Sequence, residues 1–146
     1  MCIFSLNNGK VVCCFSFLQG NTAYRVYPGL INAYAIHPNT KLSQSLETAV
    51  FRSLRETSDS IHYYMTQQGW EVDFIFQTPE GQFELYQVSL SIKDKDTSER
   101  EVRALSQAMK EIGIKRGTIV TLEEEEEISV SEGTIFVIPV WKFLLR

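Results

Sequence analysis

The sequence predicts an α/β domain, a mixed sheet with helices on its faces, and three observations carry that prediction. Apolar residues recur at helical spacing in two stretches, 42–56 and 96–113. Between them lie three runs rich in β-branched and aromatic residues, separated by Gln67-Gln68-Gly69 and Pro79-Glu80-Gly81, whose turn chemistry suits an antiparallel meander. After the second helical stretch, residues 118–122 form a short, apolar run of the kind buried on both faces of a sheet beside a helix.

In chain order, Asn8-Gly9 separates residues 2–6 from 10–18 and suits a type I′ turn, so a hairpin is expected first. Residues 23–27 read as a short strand stopped by Pro28-Gly29. The first helix is expected over 42–56, with Leu46, Val50 and Leu54 as its stripe, widened by Ala49 and Phe51. The meander follows as strands 60–66, 71–78 and 82–92. The second helix starts at Asp96, where Asp96 and Glu99 stand at capping-box spacing, and ends at Gly113. Its stripe is Val102, Leu105, Met109 and Ile112. The five glutamates at 123–127 read as a solvated loop. Residues 128–130 and 134–138 form a strand pair ended by Pro139, and 140–145 close the chain with a helical turn.

At 146 residues the chain fits one domain that needs no metal or disulfide to build a core. Its net charge of -4 argues mildly against broad nucleic-acid binding, but removing the five-glutamate run leaves +1. Cys2, Cys13 and Cys14 are odd in number with two adjacent, which fits reduced thiols and a cytoplasmic protein. His37 and His62 each stand alone, so no zinc site is expected. No apolar run approaches the roughly 20 residues of a membrane span, and 11–18 lacks a signal-peptide cleavage pattern.

Polar residues interrupt the apolar patterns at informative places. Glu47 shares a helix face with Val50, Phe51 and Leu54. Asp73 sits mid-strand, where aspartate is a poor fit, on the face opposite Val72, Phe74 and Phe76. In the next strand Gln87, Ser89 and Ser91 alternate with Tyr86, Val88 and Leu90. An in-register meander therefore brings Asp73 and Gln87 onto one face, and Glu47 is expected to point towards them. A helix acid, a strand acid and an oxygen ligand one hairpin later are the parts of a magnesium site of the nuclease kind.

Several segments, in order, carry a family likeness. Residues 25–32 resemble the entry segment "KVYxxDxGLIN" of the C-terminal domain in a family of prokaryotic AAA+ ATPases. Residues 46–51 resemble its "LENxVF" helix, and 61–64 with 71–75 its "IYYYR…EVDFV". Residues 86–89, 99–101 and 119–122 resemble a branch reading "LIQVCYDL…TREREIKAL…GLIITLDEEE", and 138–142 its closing "IPVWKWLL". The likeness spans about 25–145. It implies a PD-(D/E)XK, restriction-endonuclease-like fold.

By position, the resemblance makes Glu47 the helix acid, Asp73 the first strand acid, and Gln87-x-Ser89 the slot holding Glu-x-Lys in active members. Gln87 offers only a neutral oxygen, and Ser89 cannot supply the cation that meets the phosphate. Lys93, four residues on, is the candidate substitute. Pro28-Gly29 stands where the family has a further acid, and Gly9-Lys10 and Gly20-Asn21 do not make a P-loop. The chain thus reads as the ATPase's domain without the ATPase: a stand-alone version, a fragment or a remnant.

The expected arrangement is a hairpin extension over 1–24 and a nuclease-like domain over 25–146. The expected role is a DNA- or protein-interaction module tied to an AAA+ ATPase, with a weak or absent magnesium site at Glu47, Asp73 and Gln87 and no membrane partner. An active magnesium-dependent nuclease and a structural, self-associating domain are the alternatives. Self-association would follow if the apolar strands 119–122 and 135–140 lay at an edge. A DNA binder should bring several of Arg52, Arg55, Lys93, Lys95, Arg100 and Arg103 to the side of Asp73; the bland alternative pairs them with Glu56, Glu99 and Glu101.

Overall fold

The structure, a computed structural model, describes residues 5–6, 9–13 and 38–146, with side chains described from Leu42 onward. Among the described residues, three helices and eight strands form a mixed α/β arrangement. The strands are β1 (Ser5–Leu6), β2 (Gly9–Cys13), β3 (His62–Met65), β4 (Glu71–Gln77), β5 (Phe83–Val88), β6 (Arg116–Thr121), β7 (Glu126–Val130) and β8 (Gly133–Pro139). The helices are α1 (Pro38–Thr57), α2 (Lys95–Ile112) and α3 (Val140–Leu144). One sheet runs β1-β2-β3-β4-β5-β6-β8-β7.

The first five strands pair antiparallel, so β3 to β5 form the expected meander. From β5 the chain crosses through α2 to β6, which pairs parallel to β5, as a helical crossover requires. β8 adds parallel to β6, and β7 closes that edge antiparallel to β8.

The helices sort the apolar residues into two cores. On one face Leu46, Val50 and Leu54 of α1 pack with Phe74, Tyr86, Val88, Val120 and Phe143. On the other, Leu105, Ala108 and Met109 of α2 pack with Ile75, Leu85, Ile119, Ile135 and Val137. Ile119 and Val120 are both fully buried, one in each core, which is why the β6 run has no polar alternation.

The structure moves several expected boundaries. α1 begins at Pro38, ahead of its apolar stripe; proline is tolerated there because its missing N–H has no partner in a first turn anyway. The cap of α2 is Asp94, whose carboxylate accepts from the Thr97 N–H at 2.9 Å, while Asp96 lies inside the first turn. Gly113 ends α2 as expected, left-handed at φ 81° with its N–H on the Met109 carbonyl.

The third meander strand stops at Val88 rather than 92. Beyond it the backbone still touches the β6 side through Ser89 N–H to Val120 O at 3.0 Å and Leu122 N–H to Leu90 O at 3.3 Å. In the first hairpin Leu6 pairs with Gly9, so the glycine opens β2 instead of sitting in the turn. Glu126 and Glu127 belong to β7, so the acidic run is only partly loop. The strand expected over 23–27 and the boundary expected at 24/25 lie outside the described residues.

Candidate functional site

A cleft of about 730 Å³ opens where β5 ends at Val88 and the chain turns away through Ser89, Leu90 and Ser91. Glu47, Asp73, Gln87 and Glu101 all line it. They arrive from three layers: Glu47 from α1, Glu101 from α2, and Asp73 and Gln87 from the sheet between.

A backbone irregularity in β4 positions Asp73. The pairing of β3 with β4 slips between His62 and Tyr64, so Tyr64 pairs with Val72 but His62 with Ile75. Val72 then joins the core under α2 and Phe74 the core under α1, with Asp73 at the point of change. On the other side of β4, Phe74 pairs with Tyr86, and Asp73 stands opposite Gln87 one step further along.

Two hydrogen bonds close that step. The Asp73 N–H donates to Gln87 Oε1 at 3.2 Å, and the Val88 N–H donates to Asp73 Oδ2 at 2.8 Å. Gln87 is buried, and its Nε2 donates to Glu101 Oε2 at 2.7 Å. Glu101, 5% exposed, takes the Arg100 guanidinium on its other oxygen at 2.7 Å. The side-chain amide of Gln87 therefore bridges the β4 backbone and α2 with both of its ends engaged.

The cleft is electrostatically crowded. Burial pushes the Asp73 carboxyl up to about 7, offset in part by the Val88 N–H and reinforced by the charges of Glu47, Glu101 and Glu71. Burial also raises Glu47 above the usual carboxylate range, against the lowering effect of the Ser43 hydroxyl at 3.4 Å. Glu101 holds the Arg100 guanidinium above its ordinary value.

Of the residues the sequence singled out, the cleft unites Glu47, Asp73, Gln87 and Ser89. The Ser89 hydroxyl donates to the Ser91 carbonyl at 3.0 Å. Lys93 is not among them. It lies beside the acidic run with Glu123 to Glu126, and its charge helps hold Glu124 below the usual range. The reason is the early end of β5: without a strand past Val88, alternation no longer carries Lys93 to the Ser89 side.

The other cations are mostly occupied. Arg55 pairs with Asp59 at 3.1 Å, Lys95 with Glu99 at 3.8 Å, and Arg103 stands 5.3 Å over the Trp70 ring. Among the described residues, no group of three or more histidine, cysteine, aspartate or glutamate side chains is disposed to hold a metal ion.

Sequence reasoning took Glu101 for a solvated helix residue paired with a base. A signal was present: Glu101 shares the helix face of Ala104, Leu105 and Ala108, all buried. Trp70 and Asp94, which also line the cleft, carried no periodic signal.

The fold and cleft define an α/β domain with a carboxylate-rich site at the carboxyl end of a sheet strand, the usual place for ligands in sheets with parallel pairing. The chain belongs to the DUF4143 family, a domain of unknown function, whose model matches residues 42–143. No match was found among curated proteins, and none among solved structures. Among the described residues, no helix is long and apolar enough to cross a membrane.

Proposed function

We propose that this chain is a nuclease-like domain of the PD-(D/E)XK type whose metal site no longer supports cleavage, acting as an interaction module associated with an AAA+ ATPase. The observation that carries the reading is the engagement of Gln87. Its carbonyl oxygen accepts from the Asp73 N–H and its amide donates to Glu101. In the Glu-x-Lys slot, a working site needs a charged oxygen free to face the metal.

A magnesium ion would find Asp73 and Glu47 as its donors here, with Glu101 already committed to Arg100 and Gln87. The raised Asp73 carboxyl fits such a role, since a cation would relieve the crowding that raises it. Two carboxylates without a third charged ligand favour weak binding, because magnesium gives up its waters reluctantly. Ser89 itself brings no cation to meet charge building on a phosphate, and Arg100, which also lines the cleft, is engaged by Glu101; losing one such pre-aimed group typically costs about 10²–10³ in rate.

The test compares wild type with Gln87→Glu/Ser89→Lys on linear, supercoiled and branched DNA, with magnesium and with manganese. No cleavage by wild type and some cutting by the double variant, erased by Asp73→Ala, is the expected pattern. Robust cutting by wild type that disappears in Asp73→Ala would overturn the reading and put the active nuclease first.

A further inference from the structure

At the opposite end of the sheet from the Asp73 cleft, where β5 and β6 begin, lies a second cavity of about 770 Å³. It combines three cations, Lys115, Arg116 and Arg146, with the rings of Phe136 and Tyr86. The Arg116 guanidinium lies 4.8 Å over the Phe136 ring centroid, and the Arg146 guanidinium stands against two rings, 3.8 Å from the centroid of Phe143 and 5.2 Å from that of Tyr86. Arg146 also donates to the Tyr86 hydroxyl at 3.1 Å. The acid in the lining, Glu84, accepts from that same hydroxyl. Glu127 pairs across the strands with Phe136, yet among the described residues no carboxylate is in ion-pair contact with Lys115, Arg116 or Arg146.

This differs from the helix cations, which sit against carboxylates or, like Arg103, away from the cavity. A guanidinium held flat on a ring keeps its other face open for stacking and its edge N–H groups free to donate. The Arg116 guanidinium over the Phe136 ring, with Lys115 beside it in a cavity of ligand size, matches an anion that also carries a flat aromatic ring. Phosphate contacts would come from the edges of Arg116 and from Lys115, while a base would stack against the Arg116–Phe136 pair.

We propose that this cavity is a nucleotide-binding site, taking a phosphorylated base either free or within a single strand. Arg116 stacks the base and binds phosphate, Lys115 adds charge, and Arg146 is positioned by Tyr86 on the opposite wall. The site stands on its own residues and owes nothing to the chemistry of the Asp73 cleft.

The test titrates the chain against three probes at low salt: fluorescein-labelled oligothymidylate of about twelve nucleotides, ATP, and inorganic tripolyphosphate. Micromolar binding of the oligonucleotide or of ATP is expected, weaker by about tenfold in Lys115→Gln/Arg116→Gln. Lys110→Gln, an exposed charge removed elsewhere on the surface, should leave it unchanged. Binding of both probes points to a free nucleotide as sufficient, and binding of the oligonucleotide alone to the strand; each supports the site. The proposal is overturned if neither probe binds, if the double variant binds like wild type, or if tripolyphosphate binds as tightly as ATP. Amide chemical shifts give a readout that needs no variant. They should move around Lys115, Arg116 and Phe136, and movement confined to the Glu47–Asp73 cleft would equally overturn it.

Discussion

A carboxyl raised to about 7 makes Asp73 a stability liability at neutral pH. The folded state holds its proton more tightly than the unfolded chain does, whose carboxyl titrates near its ordinary value. Folding is therefore favoured below that ordinary value, and the advantage is lost as pH rises towards 7. Asp73→Asn keeps an oxygen for the Val88 N–H but never charges. It should raise stability at pH 8 by about 1–3 kcal/mol, with the gain shrinking towards pH 4, read from denaturant midpoints across pH. A constant gain at every pH would show that Asp73 does not titrate in this range. Gln87→Leu should do the opposite at all pH values, leaving the Asp73 N–H and a buried Glu101 oxygen without their partner, a loss of about 2–4 kcal/mol. The expected convergence of Asp73 and Gln87 was legible from the short turn and from alternation in β5, whereas in β4 alternation wrongly put Val72 on the face of Phe74 and Phe76. Glu101 was not read, although its helical spacing is as informative as that of Glu47, because a neighbouring arginine offered an easier account. The slip in β4 that seats Asp73 was invisible, since it comes from how β3 meets β4.

At the scale of elements, close packing of α2 against the sheet makes glycines unequal. At Gly113 a methyl group would meet nothing, so Gly113→Ala carries only the cost of the left-handed conformation, about 1 kcal/mol. At Gly117 it would stand 2.7 Å from the Leu105 side chain, forcing α2 away from β6 at about 1–3 kcal/mol. At Gly133 it would fall 2.1 Å from the Lys115 carbonyl oxygen, which accepts the Thr134 N–H. Gly133→Ala should be the most damaging of the three, and thermal unfolding that ranked Gly113→Ala lowest would contradict this packing. Legibility followed the same physics. The cores of α1 and α2, the meander and the Gly113 stop were readable from periodicity and turn chemistry. The α1 start, the Asp94 cap and the end of β5 were not. Pro38 precedes the apolar stripe, two aspartates compete for one cap, and Ser89 to Ser91 alternate as if the strand continued.

For the whole molecule, sheet order decides whether the apolar strands are a hazard. β6 lies between β5 and β8, and β8 between β6 and β7, so neither apolar strand forms an edge. Ile119, Ile135 and Val137 are at most 1% exposed. That removes the arrangement on which self-association was expected to rest. Among the described strands, the edge on that side is β7, with Glu126 and Glu127 exposed on it, followed by a half-buried Ile128 and Val130. Strand edges present unpaired backbone groups, and charge along them is the usual protection against pairing with a second copy. Glu126 and Glu127 are therefore expected to guard the β7 ladder beside the apolar strand β8. Glu125, in the loop before β7, is ion-paired with Lys142 of α3. Glu126→Thr/Glu127→Val should keep the fold, because both side chains are exposed and the new residues favour strand. It should also turn the edge into a pairing surface. Light scattering of the variant is expected to rise with concentration where that of wild type stays flat, and circular dichroism should show added strand signal in the associated fraction. A variant that stays as monodisperse as wild type at the same concentration would mean that something other than charge protects β7.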